Sequence, residues 1–166
     1  MSLLYALDPG TLQSALVVYD GTRVLEHVTA LNGVILDKLR FAPETGTRTL
    51  VVEQIESFGM AVGQETFATV WWAGRFYEAW PNAERYQLPR LPIKIHLCNS
   101  ARATDANIRA ALLDKFGGSA AIGKKATPGP LYGLKGHEFA ALAVAVTWLE
   151  IQAQPVAART GSAHHI

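Results

Sequence analysis

Two short apolar runs, Leu3 to Leu7 and Ser14 to Asp20, are separated by Asp8-Pro9-Gly10-Thr11, a Pro-Gly turn. Asp20-Gly21 then leads into Arg23 to Val28, and Asp-Gly between two such runs is a strong hairpin signal. The chain therefore opens as a three-stranded antiparallel meander. Asp8 closes the first strand, where a buried element reaches the surface, and that is a position for chemistry.

A second acid has the same setting. Thr49-Leu50-Val51-Val52 is a short apolar run that ends in Glu53-Gln54 before a glycine-containing loop. If the two runs lie side by side in one sheet, Asp8 and Glu53 are neighbours, and two carboxylates that close repel unless a cation lies between them or one keeps its proton. Hard divalent cations take oxygen ligands, a few carboxylates completed by water and substrate phosphate. The pair predicts a magnesium or manganese site. For either acid alone, opening a turn or ending a strand is the simpler reading.

A chain of 166 residues with 49% apolar composition supports one domain with a substantial core. No apolar stretch reaches the roughly 20 residues that span a bilayer, and the N-terminus lacks a signal-peptide pattern, so a cytoplasmic protein without membrane contact is expected. The single cysteine, Cys98, has no internal disulfide partner, no Cys/His spacing suggests structural zinc, and Cys98 is expected as a small hydrophobe at a strand end. Net charge is only +1, yet residues 85 to 135 hold nine bases against Asp105 and Asp114, whereas residues 1 to 84 hold ten acids against five bases. A basic segment beside an acidic, cation-filled centre suits a phosphodiester substrate, and a solvated surface would look the same in sequence.

Further elements are a short helix over Val34 to Arg40, a strand over Thr49 to Gln54, and a helix from about Gln64 to Trp80 that stops before Pro81. A strand over Ile93 to Leu97 follows, then helices over Asp105 to Phe116 and Gly136 to Gln152. The expected architecture is an α/β mixed sheet, a meander plus two parallel strands, with helices on its faces. Residues 1–152 form the domain and 153–166 a flexible tail. Gly117 to Pro130 reads as a mobile loop.

Three pieces in order resemble the RuvC family of Holliday-junction resolvases, within the ribonuclease-H-like nucleases. They are Leu7-Asp8-Pro9-Gly10 followed by a hairpin; Val51-Val52-Glu53-Gln54-Ile55 before a long helix with Ala73-Gly74-Arg75; and Ala141-Leu142-Ala143-Val144-Ala145 in the last helix, preceded by His137. Lys94 to Arg109 is similar to the segment before that helix, and the short length looks like the phage-borne members. The resemblance implies a ribonuclease-H-like domain that hydrolyses DNA with two magnesium or manganese ions, which in two-metal sites lie roughly 3.5 to 4 Å apart. On that footing Asp8 bridges the ions, Glu53 binds one, and His137 is a ligand or general base. Branched DNA is the implied partner, a homodimer the implied assembly, and no nucleotide cofactor is implied.

The family pattern places one more aspartate a helical turn after the His137 position, and this chain has Ala140 there. Positions three apart share a helix face. Glu138 adjoins the site but projects about 100° away around the helix. A DNA-binding module of the same fold with weakened catalysis is therefore an alternative to the nuclease. Asp105 is read as a helix-start residue, with Thr104 or Asp105 as the cap. Expected DNA contacts are Lys124 and Lys125 on their glycine-flanked loop, Lys135, Arg102 and Arg109. Phe58 lies near the family's junction-stacking aromatic, offset by two positions, with packing as its other role. Trp71, Trp72, Phe76, Tyr77 and Trp80 cover more than one face of their helix, so part of that set meets another surface, a dimer partner in the family. Asp8-Pro9-Gly10-Thr11 also looks like the phosphate-contacting turn of actin-like ATPases, which need two such domains around the nucleotide.

Overall fold

A computed structural model describes residues 2–44, 46–57, 59 and 61–155. Strands β1 (Ser2–Asp8), β2 (Gln13–Tyr19) and β3 (Val24–Leu31) form the meander, with Leu7 opposite Leu16 and Val17 opposite His27. Helix α1 (Asn32–Arg40) returns the chain to β4 (Thr47–Gln54), which runs parallel to β1. Helix α2 (Gln64–Ala79) leads to β5 (Arg85–Pro89), parallel to β4. The sheet order is β3-β2-β1-β4-β5, the mixed ribonuclease-H-like arrangement expected from the sequence. Helices α3 (Arg90–Cys98) and α4 (Asp105–Lys115), a 3-10 turn over Gly118–Ala121, a small hairpin of β6 (Gly123–Lys124) and β7 (Thr127–Pro128), and α5 (Gly136–Ala153) complete the fold.

The fifth strand is not Ile93 to Leu97, which lies inside α3. Ile93-Lys94-Ile95-His96-Leu97 alternates apolar and polar residues like a strand. The helix instead buries Ile93 and leaves Ile95 48% exposed. Pro92 is tolerated because it falls in the first turn, where its missing N–H has no acceptor to lose. The true strand, Arg-Tyr-Gln-Leu-Pro, is an edge strand with only Leu88 buried, so its pattern is faint. Cys98 accordingly ends a helix and is half-buried. Gly123 to Pro128, expected within a loop, contains the β6–β7 hairpin. The tail from residue 156 onward, and Phe58, lie outside the described residues.

Successive strand residues face opposite sides, so each strand feeds two apolar layers. Leu4, Ala6, Ala15, Val17 and Val51 pack under α5 with Ile93, Ile108 and Leu112 of α3 and α4. Tyr5, Leu7, Leu16, Val18, Leu50 and Val52 pack under α1 and α2, against Ile35, Leu39, Phe76 and Trp80. Helix α5 is buried almost continuously from Glu138 to Thr147, which accounts for an apolar character too uniform to show a stripe. None of the described helices is long and apolar enough to cross a membrane.

Candidate active site

Alternation along β1 decides where Asp8 points. Leu4 and Ala6 belong to the layer under α5, and the two-residue period carries Asp8 to the same face. On β4 the period runs from Val51 to Glu53; β5 turns Leu88 to the same layer, and Arg90 opens α3 directly after that strand. Pairing of Leu7 with Val52, and of Gln54 with Pro89, aligns these ends. Two adjacent parallel strands thus deliver an acid each to one rim of the sheet, and the first residue of α3, directly after the third strand, brings a base to Glu53.

The turn behind Asp8 is pinned from below. The Gly10 N–H donates to Ser14 Oγ (3.0 Å), the Ser14 hydroxyl donates to Asn32 Oδ1 (2.6 Å), and the Asn32 amide donates to the Gly10 carbonyl (2.9 Å). Ser14 and Asn32 are both buried. A Cβ on Gly10 would sit 2.2 Å from the Gln13 carbonyl oxygen, so this close approach requires glycine.

Helix α5 supplies His137 from its first turn. His137 Nδ1 lies 2.9 Å from Asp8 Oδ2, while the side chain remains 79% exposed at the mouth of an open cleft. That cleft, of about 650 Å³, extends past the Pro9–Ser14 turn to Glu65 and Thr69 of α2. The next residue, Glu138, turns away from it, as the helical period requires. It is buried against β3, 2.8 Å from His27 Nδ1, and accepts hydrogen bonds from Thr29 Oγ1 (3.2 Å) and the Lys135 N–H (3.1 Å). Glu138 therefore anchors the start of α5, and with it His137, to the sheet. It is not a substitute for the missing aspartate.

Glu53, 4% exposed, accepts two hydrogen bonds from Arg90 Nη1, at 3.0 and 3.2 Å. Arg90 Nη2 also pairs with Asp105 at the first position of α4. Thr104, not Asp105, caps that helix: its hydroxyl accepts the Asn107 N–H, and the Asn107 side chain accepts the Thr104 N–H in return. Asp105 is thereby left to the arginine. Burial pushes Glu53 up to about 7, Asp8's charge pushes the same way, and Arg90 opposes both. Burial also raises Asp8, against the hydrogen bond from His137.

Asp8, Glu53 and His137 thus share one rim. Among the described residues, however, no three His, Cys, Asp or Glu side chains stand close enough to grip an ion as they lie; Glu53 is held by the guanidinium. The donor chemistry still fits one hard cation. A half-buried carboxylate, Asp8, and a buried one, Glu53, stand at neighbouring strand ends, the second raised in part by the first's charge, with an imidazole against the first. At the position of the fourth donor that the resemblance implies, Ala140 lines a recess of about 290 Å³ with Arg90, Asp105, Arg109 and His137, and the carboxylate there, Asp105, is paired with Arg90.

Of the expected DNA contacts, Arg109 and Lys135 lie at or next to the site. Arg109 is stacked 4.8 Å over the Phe139 ring at the recess, and Lys135 is exposed two residues before His137. Lys124 and Lys125 are exposed on the β6–β7 hairpin. Arg102 lines a separate recess with Cys98, Ser100 and Asn107, so it is not brought to the site. Of the α2 aromatics and the neighbouring Trp80, Phe76 and Trp80 are buried, whereas Trp71 is 60% exposed beside Phe67 at 63%. Sequence reasoning missed Arg90, Ser14 and Asn32. The available signal for Arg90 was its position two residues after Leu88, which becomes visible only once β5 is set at Arg85–Pro89.

Neither a protein-family model nor a curated protein matches the sequence. Among solved structures, Thermus thermophilus RuvC aligns with TM-score 0.61 and 18% identity over 99% of both chains. T. thermophilus RuvC in complex with Holliday junction substrate aligns with TM-score 0.57 and 20% identity, again over 99% of both. From first strand to last helix, the chain has the fold of RuvC.

Proposed function

We propose that the protein is a metal-dependent endonuclease that cuts Holliday junctions or other branched DNA by phosphodiester hydrolysis, acting in the cytoplasm. The observation that carries this reading is the Asp8–His137 contact of 2.9 Å beside buried Glu53, at the rim of an open cleft in a RuvC fold. With its Nδ1–H donated to Asp8, the His137 ring keeps its Nε2 lone pair to accept a proton from water in the cleft. Asp8 fixes the ring's orientation and favours the imidazolium that results. Glu53 and Asp8 would hold the divalent cation, with His137 beside them, and the ion would polarise the attacked phosphate and acidify the attacking water. Arg109, Lys135 and the Lys124–Lys125 hairpin would follow the backbone of the arms. The exposed Phe67–Trp71 face of α2 is a surface for a second copy, since a junction with two-fold symmetry calls for two matched sites.

Ala140 favours a second reading, a DNA-binding module of this fold with weakened catalysis. A synthetic four-way junction incubated with magnesium or manganese separates the two. Paired nicks that disappear in Asp8→Asn support the nuclease. Tight junction binding with no nicking in either metal supports the second reading and refutes the first.

A further inference from the structure

Arg90 has no counterpart in the ligand set that the resemblance implies, yet it occupies the centre of the site. It is the first residue of α3, directly after the third parallel strand in the row whose first two end in Asp8 and Glu53. It donates to both oxygens of Glu53 and pairs through its other terminal nitrogen with Asp105. Its charge acts on Asp8 as well as on Glu53. The guanidinium also lines the recess that Ala140 leaves beside His137.

A second divalent ion would need the carboxylate that position 140 lacks. Asp8, Glu53 and Asp105 are set against Arg90 and Arg109, a surplus of one acid that a single divalent cation more than offsets. A guanidinium has five N–H donors in a fixed fork, a good match to phosphate oxygens, and is always charged. Glu53 and Asp105 hold Arg90 through its two terminal nitrogens, and Arg90 lines the recess, so little side-chain freedom remains to be lost when substrate arrives. We infer that this chain works with one divalent cation and that Arg90 supplies, at the rim beside Ala140, the positive charge that a second ion would otherwise bring to the scissile phosphate. Placed there, it stabilises charge developing on the phosphate in the transition state. This inference rests on the nuclease reading for its substrate, and on Arg90, Asp105 and Ala140 for its content.

Manganese titration followed by the electron paramagnetic resonance of free ion counts the sites without any substrate. The wild-type chain is expected to saturate at one ion, and Ala140→Asp at two. Arg90→Gln, which keeps a donor toward Glu53 but removes the charge, is expected to retain one ion and to lose about 100-fold or more in junction cleavage, the scale of removing one oxyanion-stabilising donor. Arg90→Lys should recover part of that loss and so shows that a poor fold is not the cause. Two ions bound by the wild type, or wild-type cleavage by Arg90→Gln, overturns the inference. If the wild type cuts no branched DNA, the nuclease reading fails and the role of Arg90 with it, while the ion count still decides between one site and two.

Discussion

Replacing Glu53 by glutamine should change the pH dependence of stability in the metal-free protein. Glu53 is raised from 4.5 to about 7 by burial and then by the charge of Asp8. The folded state therefore binds that proton more tightly than the unfolded chain does, so stability is fully present below pH 4.5 and is lost as pH rises through about 7. At about 1.4 kcal/mol for each unit, the full loss is about 3 kcal/mol. The glutamine side chain cannot titrate and escapes it. Urea unfolding in a chelator, with both proteins measured from about pH 4 to pH 9, cancels the groups they share. The substituted protein should gain about 3 kcal/mol on the wild type across that range. Saturating magnesium should restore the wild type at high pH and leave Glu53→Gln unmoved, because the ion takes the place of the proton. Two parallel stability curves would refute both the buried charge and its use as a ligand.

Asp8→Asn should reduce junction nicking by about 1000-fold or more while leaving junction affinity within a few-fold, as measured by gel shift beside cleavage. Lys124→Ala combined with Lys125→Ala should weaken binding and flatten the slope of log affinity against log salt by about 2, in titrations over a range of salt; an unchanged slope would remove the hairpin from the interface. Glu138→Ala leaves His27, Thr29 and the Lys135 N–H without their acceptor and should cost about 2–3 kcal/mol in chemical denaturation, together with slower cleavage from a loosened His137. Asn32→Ala should cost about 1–3 kcal/mol in the same assay, since it strips the buried Ser14 hydroxyl and the Gly10 carbonyl of their partners.

Asp8 and Glu53 were legible because each ends an apolar run of strand period, so one alternation rule places both on the same face. His137 was reachable only through the resemblance, since nothing local to Gly136–Phe139 marks a histidine as more than a helix start. Arg90 was hidden by a competing pattern. Ile93, Ile95 and Leu97 imitate a strand, which moved the expected β5 past its true span of Arg85–Pro89 and put Arg90 in a connection. The roles of Glu138 and Asn32 depend on partners in β3 and in the turn at Gly10, the former 111 residues away. No local spacing rule reaches that far. The overall architecture was readable because both faces of the sheet are covered, so every central strand had to be apolar.

His137 and Asp8 are 129 residues apart along the chain, and the helix that unites them is also the buried centre of one apolar layer. The Asp8–His137 contact therefore depends on α5 being seated in that layer. Under the proposed mechanism, a chain ending before Gly136 would carry both strand-end acids and lack the imidazole. On that reading, the helix that completes the core also completes the site.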